Sequence, residues 1–330
     1  MLSVQPTMIL QYLQTNQINT ADDSFRVTFA PRLEELKNSI KNVGVINPIT
    51  IRHTQEGTYQ VVTGYKRLLA CQELNRQTIP ALIYEPHDLS PMQAFLYNIH
   101  DNMFTRPLNV IEKYNVCSKL VKVYAVTEED VVKQYLPLLG EEPSYKVLHQ
   151  YLALEQLIEP MKVHIVEKGA AISSATRIAE FSPATQASLL NVLQHVNPST
   201  NKLNELLTLI REIAARDGTT VEEILNRYQL LTIVADPAVA APEKVAALRQ
   251  TLRSVRLPHL TERQRQLTGL IDSLQLPNTA RLIADPYFED PKLKLEYQFS
   301  APEEINALIG KLQEAFEKQQ WQKIFEWYRA

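Results

Sequence analysis

Tyr59–Tyr84 reads YQVVTGYKRLLACQELNRQTIPALIY. An alternating apolar run predicts a strand that stops at Gly64, and the spacing that follows predicts a helix from about Tyr65 to Leu74. A further strand candidate, TIPALIY, closes the stretch. Glycine lets the chain turn tightly out of the first strand. The first amides of the helix then point outward with the positive end of its macrodipole, and Lys66 and Arg67 stand at that same end. Cations in a first turn are mildly unfavourable, so an anion would repair the arrangement. The alternative is that both cations are solvated on an outer face while Val61, Leu68 and Leu69 pack inward.

Upstream, PRLEELKNSIKNVG is an amphipathic helix closed by Gly44, and INPITIRH and TYQVVTG are short β-rich runs around the turn TQEG. Ser24 to about Glu85 therefore forms a small α/β unit. From Ser90 to about Leu231 the pattern becomes helix after helix, punctuated by Pro, Gly, Ser and Thr. Ser90, Thr127, Ser144 and Ser182 are candidate caps for these helices. The Ala/Pro-rich VADPAVAAPEK marks a boundary. Beyond it come two helices, two strand candidates (TARLIADPYF and KLKLEYQFS, joined by EDP) and a final helix, APEEINALIGKLQEAFEKQQ. Leu293, Leu295, Tyr297 and Phe299 alternate with polar residues, the pattern of a strand with one buried face.

Composition narrows the classes. With 330 residues, 45% hydrophobic and 22% charged, the chain has the balance of a soluble globular protein of two or three domains. Eight glycines against 19 prolines suit an α+β fold, predominantly helical, whose helices stop at proline more often than at glycine. Cys71 and Cys117 each sit in an apolar helical context and read as buried thiols, which suits a reducing cytoplasm. The first residues carry no Lys or Arg ahead of their apolar run, and no segment approaches the roughly 18 consecutive apolar residues of a membrane span. A net charge of −3 supplies no global attraction to nucleic acid, so any such binding must come from a local patch. The seven histidines lack metal-ligand spacing, and neither a Ser/His/Asp set nor a paired-Cys set stands out.

GVINPITIR (Gly44–Arg52), YQVVTGYKRLLACQEL and IPALIY together resemble the N-terminal domain of the ParB partition-protein family. In that family a G-x-x-Q-P turn and a G-E-R-R-x-R-A loop hold CTP. The resemblance carries nucleotide contact onto Gly44, Asn47 (in place of Gln), Gly64, Lys66 and Arg67. Tyr65 stands where the family has Glu, and Leu69 where it has its last Arg. DNMFTRPLN resembles the family's E-N-x-x-R phosphate and metal motif, which implies Asn102 and Arg106 as further nucleotide contacts. It also implies Asp101 as an oxygen ligand of Mg2+. The arginine is displaced by one position, with Thr105 in its ungapped place.

Thr127–Leu157 resembles the family's helix-turn-helix, and Ile158–Phe181 the segment after it. The resemblance implies a recognition helix capped by Ser144, with Tyr145, Lys146 and His149 on its exposed face, able to meet DNA. Glu141 and Glu142 in the preceding turn would repel a phosphate backbone. The tail from Leu260 resembles the family's α-β-β-α dimerisation domain, and a two-stranded sheet with one apolar face is marginal alone, so a homodimer is expected. The implied domains are an N-terminal arm over 1–23, a ParB-like nucleotide-binding domain over 24–106 and a helical DNA-binding domain over 107–231. A linker and helix over 232–258 and the dimerisation domain over 259–330 follow. Residues 1–25 contain no Lys or Arg, so partnership with a standard ParA ATPase is not supported.

The resemblance implies a DNA-binding protein of the cytoplasm and nucleoid, acting in chromosome or plasmid partition or in nucleoid-associated regulation. In its fullest form this is a CTP-gated clamp, at most a slow CTPase. One alternative is a degenerate adaptor or transcription regulator that binds no nucleotide. Another is a phosphotransferase or nuclease on the related sulfiredoxin fold. The sulfiredoxin cysteine would fall at Tyr65, and a kinase would have to rely on Asp101, with Glu85 a distant second.

Overall fold

In the computed structural model, residues 8–285, 288, 290 and 292–329 are described. The start of the expected arm, residues 1–7, and four residues around the EDP turn (286, 287, 289 and 291) lie outside them. The chain divides into two compact units, one ending at Asn204 and the other beginning at Glu205. This division falls well before the Ala/Pro-rich bridge near 232.

The first unit opens with β1 (Met8–Gln14), α1 (Glu34–Val43), β2 (Ile49–His53), β3 (Tyr59–Thr63), α2 (Tyr65–Glu73) and β4 (Thr78–Tyr84). The sheet order is β1-β4-β2-β3; β4 runs antiparallel to β1 and parallel to β2, and β2 runs antiparallel to β3. Alternation explains its buried face. Ile49 and Ile51 of β2, Val61 of β3, and Ile79, Ala81 and Ile83 of β4 form one core with Ile40 of α1 and Leu68, Ala70 and Cys71 of α2. Met8–Gln14, left in an arm by the sequence reading, is one of the two edge strands of this sheet. Its MILQYLQ lacks clean alternation because Ile9, Leu10 and Tyr12 are all exposed.

Val62 faces away from that core, toward α3 (Pro91–Thr105), whose Asn98 Nδ2 donates to its carbonyl at 2.6 Å. Then come α4 (Val110–Lys122), α5 (Glu128–Asp130), a π-helical turn (Val131–Tyr135), α6 (Leu136–Leu138), α7 (Tyr145–Ala153), α8 (Glu159–Lys168), α9 (Ile172–Ala179) and α10 (Pro183–Leu193). Ser90, Thr127 and Ser182 cap α3, α5 and α10 by accepting a first-turn amide. Ser144 occupies the cap position of α7 but makes no such bond, contrary to expectation. α4 packs on α7, and α7 on α9. Burial raises the Cys71 thiol pKa and pushes that of Cys117 up to about 12.

α11 (Thr200–Asp217) leads into the second unit, which continues with α12 (Val221–Arg227), α13 (Leu230–Ala235), α14 (Ala241–Arg256), α15 (Pro258–Ser273), β5 (Ala280–Ile283), β6 (Lys294–Tyr297), α16 (Pro302–Glu317) and α17 (Gln320–Arg329). β5 and β6 pair antiparallel, with Leu282 opposite Leu295. α17 was not expected. Gln319 at φ 56° separates it from α16, close to the expected helix end at Gln320, and Ile324 of α17 enters a core with Leu267, Leu274 and Ala315. The expected buried face of β6 is only partly covered: Leu293 packs on that core, while Leu295 and Phe299 are exposed.

No described helix is long and apolar enough to cross a membrane.

Candidate functional site

The strand-to-helix turn is built as its sequence suggests. Gly64, at the N-terminus of α2, has φ 88° and ψ 19°, the left-handed region that glycine alone enters without strain. A Cβ there would also lie 2.6 Å from Ile49 Cγ2 and 3.1 Å from Ile49 Cα, so β2 and the turn approach too closely for any side chain. Behind the turn is a cavity of about 300 Å³. Gly64, Lys66 and Arg67 line it from one side, and Asp101, Asn102 and Arg106 from the other. Six residues singled out from two separate motifs thus share one wall system.

The cations differ in how they are held. Arg67 donates through Nη1 to the carbonyls of Asn47 and Pro48, each at 2.6 Å, and its Nη2 lies 4.0 Å from Asp101 Oδ2. Burial draws its pKa down, and Asp101 opposes the shift. Arg106 makes a two-pronged pair with Glu112, 2.5 Å on each prong. Lys66 makes no hydrogen bond or ion pair among the described residues. Burial, reinforced by the charge of Arg106, lowers its pKa, and Glu112 works the other way. Lys66 is therefore the cation with donors to spare.

Asn102 is committed as well. Its Nδ2 donates to the Asn98 carbonyl (2.9 Å) and to Asn98 Oδ1 (3.1 Å), while its Oδ1 accepts from Thr28 Oγ1 at 3.3 Å. Gly44 and Asn47 do not line the cavity. Gly44 ends α1 by donating to the Ile40 carbonyl at 3.0 Å, and Asn47 takes part through its own carbonyl on Arg67. Tyr65, in the place of the family's Glu, accepts a 2.8 Å bond from Arg26 Nη1, and the Arg26 guanidinium lies 4.8 Å from its ring centroid. Sequence reasoning missed Arg26, Thr28, Asn98 and Glu112. Of these only Glu112 had a legible signal, the N-x-x-E capping box that it forms with Asn109.

In the segment expected to form a helix-turn-helix, Tyr145, Lys146 and His149 share the exposed surface of α7. His149 Nε2 lies 3.0 Å from Glu128 Oε2 at the start of α5. Glu141 is not the free repulsive charge expected of it: it pairs with Lys113 at 2.5 Å and accepts from Tyr151 at 2.8 Å, tying α4 to α7. Glu142 stays exposed.

Among the described residues no cluster of three or more His, Cys, Asp or Glu is arranged to hold a metal ion. Among the described residues Asp101 is the carboxylate that lines the cavity, an oxygen donor of the kind that could ligate Mg2+.

A small α/β domain with a cation-bearing helix N-terminus is followed by a series of short helices. Residues 3–99 match the family described as ParB N-terminal domain. A nucleoid occlusion protein of Halalkalibacterium halodurans is 29% identical over 181 residues, covering 53% of this chain and 60% of the relative. The chromosome-partitioning protein ParB of Caulobacter vibrioides is 27% identical over 188 residues, covering 50% and 61%. The solved structure of C-terminally truncated ParB from Caulobacter crescentus, complexed with CTP-gamma-S, is 24% identical and matches 55% of this chain and 99% of that one. Its TM-score of 0.27 is too low to transfer geometry. Over residues 3–99 the chain is ParB-like. It spans about 60% of the length of the curated relatives named here.

Proposed function

We propose that this chain is a dimeric, ParB-like DNA-binding protein whose N-terminal domain takes the phosphates of a nucleotide, CTP by analogy with the family. The observation that carries the reading is the convergence of Gly64, Lys66, Arg67, Asp101, Asn102 and Arg106 on one cavity at the N-terminus of α2. In this reading Lys66 meets phosphate directly. Arg67 shapes the wall by holding the Asn47–Pro48 turn, and Asp101 contributes one oxygen to a magnesium ion carried by the nucleotide. The cavity's cations outnumber its carboxylates, which suits a polyanion.

For DNA, the proposed contacts are Tyr145, Lys146 and His149 of α7, with Ser144 at its start. This surface carries few cations, so the contribution per protomer is small and two copies would be needed for firm binding. The exposed apolar face of β6 is the proposed seat of the second copy. The expected divisions at 106/107, 231/232 and 258/259 are kept as functional boundaries, and the one at 23/24 is given up so that β1 counts as part of the nucleotide domain.

A second reading is favoured by one observation: Arg67, Arg106 and Asn102 already have partners within the chain. On that reading the domain is a nucleotide-free adaptor or regulator. Calorimetric titration of CTP, ATP and GTP with magnesium separates the two, with Lys66→Ala as control because Lys66 holds nothing else together. Saturable binding of one nucleotide, lost in Lys66→Ala, supports the cavity reading. Absence of heat from all three supports the adaptor.

A further inference from the structure

Glu112 is the most deeply buried carboxylate beside the cavity, 1% exposed, and every lone pair on it is in use. Its Oε1 accepts from Arg106 Nη2 at 2.5 Å and from the Phe29 amide at 3.2 Å. Its Oε2 accepts from Arg106 Nη1 at 2.5 Å and from the Asn109 amide at 3.0 Å. One side chain thus joins the cavity wall, the start of α4 and the segment Val27–Phe29.

That segment is held almost wholly from α3 and α4. The Val27 amide donates to Asn98 Oδ1 at 3.3 Å, and its carbonyl accepts from Asn115 at 3.0 Å. Thr28 donates to Asn102 at 3.3 Å, and Phe29 donates to Glu112. Thr28, Asn102 and Arg106 line the cavity too, so a group that rearranges there pulls on the strap.

We infer that Glu112 is an internal competitor for the anion of this cavity: it occupies Arg106 while the cavity is empty, and an incoming phosphate that takes Arg106 loosens the Val27–Phe29 strap. The inference rests on the proposed anion reading of the cavity. Phosphate and carboxylate compete for the same paired N–H groups of a guanidinium, and a polyphosphate brings more charge to them. Once Arg106 is drawn off, Glu112 is a buried charge without its partner, a costly state. The carboxylate relieves it by turning toward water, and the Phe29 amide loses its acceptor.

The test is titration of inorganic tripolyphosphate into wild type, Glu112→Gln and Lys66→Ala, with amide exchange followed at Phe29. Glutamine preserves the shape and the capping-box acceptor but removes the competing charge. Glu112→Gln is expected to bind tripolyphosphate about tenfold tighter than wild type, and the gain is expected to vanish in the Glu112→Gln/Arg106→Gln double variant. In wild type, saturating tripolyphosphate is expected to speed exchange at Phe29 and leave Ile51 in the sheet unchanged. Equal or weaker binding by Glu112→Gln overturns the competitor, and so does slower exchange at Phe29. If Glu112→Gln does not fold, the wild-type exchange measurement decides alone. Binding that survives Lys66→Ala, or none by wild type and Glu112→Gln alike, overturns the cavity reading and this inference with it.

Discussion

In the four-stranded sheet, Ile49, Ile51, Val61, Ile79, Ala81 and Ile83 are each at most 8% exposed. Leu295 in the two-stranded sheet and Phe299 just past its end belong to a run that alternates in the same way, but they stand 36% and 57% exposed. The two runs are equivalent as patterns, and they differ in what covers them. α1 and α2 supply a lid of apolar residues over the first sheet. α15, α16 and α17 turn their apolar residues toward a core that reaches only part of the second. A period-two pattern states that a face is meant to be buried; it does not say that the burying surface lies in the same chain.

The largest expected effect lies in the closed sheet. Leu68→Ala, at a fully buried position of α2, should cost about 2–5 kcal/mol in urea unfolding. Leu295→Glu should cost the isolated protomer far less, and should convert a dimer to a monomer in light scattering if a second copy covers the face. An undiminished dimer mass would break the comparison, because the open face would then have no partner of its own kind.

Next in size is Gly64→Ala. The positive φ and the close approach to Ile49 should together cost about 1–3 kcal/mol in the same assay. An unchanged midpoint would mean that β2 and the turn are looser than their geometry implies.

Cys117 sharpens the contrast through pH. Its thiol pKa rises from 9.0 to about 12 on folding, so between those values the folded state holds a proton that the unfolded state has released. This contribution to stability is fully present below pH 9 and is lost as pH climbs toward 12, with a slope of about 1.4 kcal/mol per pH unit for one proton. Cys117→Ala should flatten that part of the alkaline stability curve. Lys66 works in the opposite sense. Its lowered pKa means that the unfolded state holds the extra proton, so its term makes the fold more stable as pH rises toward the usual lysine value of 10.5. Its charge, and any anion binding that depends on it, should fade at a lower pH than for an ordinary lysine.

The smallest effects compare two caps. Thr127→Ala removes a hydrogen bond to the Asp130 amide and should cost about 0.5–2 kcal/mol. Ser144→Ala removes none and should leave the thermal midpoint unchanged. A matching loss at both positions would show that Ser144 also caps its helix in solution.

Much of the first unit was legible because its signals are local. The strand that stops at Gly64, the helix closed by Gly44, the caps at Ser90, Thr127 and Ser182, and the alternation of β2 and β4 each depend on residues within a few positions of one another. β1 escaped notice because its pairing partner, β4, lies about 70 residues away and its own residues do not alternate in burial. α17 escaped because the sequence reading stopped at Gln320, although the residues beyond it pack on α15 and α16.

By itself, the sequence determined which residues would stand at the turn and that three cations and a carboxylate belonged to the two motifs. Tertiary structure alone decided what those groups are free to do. Arg67 is tied to carbonyls about twenty residues upstream, Asn102 to Thr28 and Asn98, and Arg106 to a glutamate that also fastens Phe29. Most of these partners come from distant parts of the chain, and each bond is worth only a kcal/mol or two. No local propensity encodes such a choice: the packed fold selects it by giving the buried Glu112 carboxylate and the guanidinium beside it partners in one another.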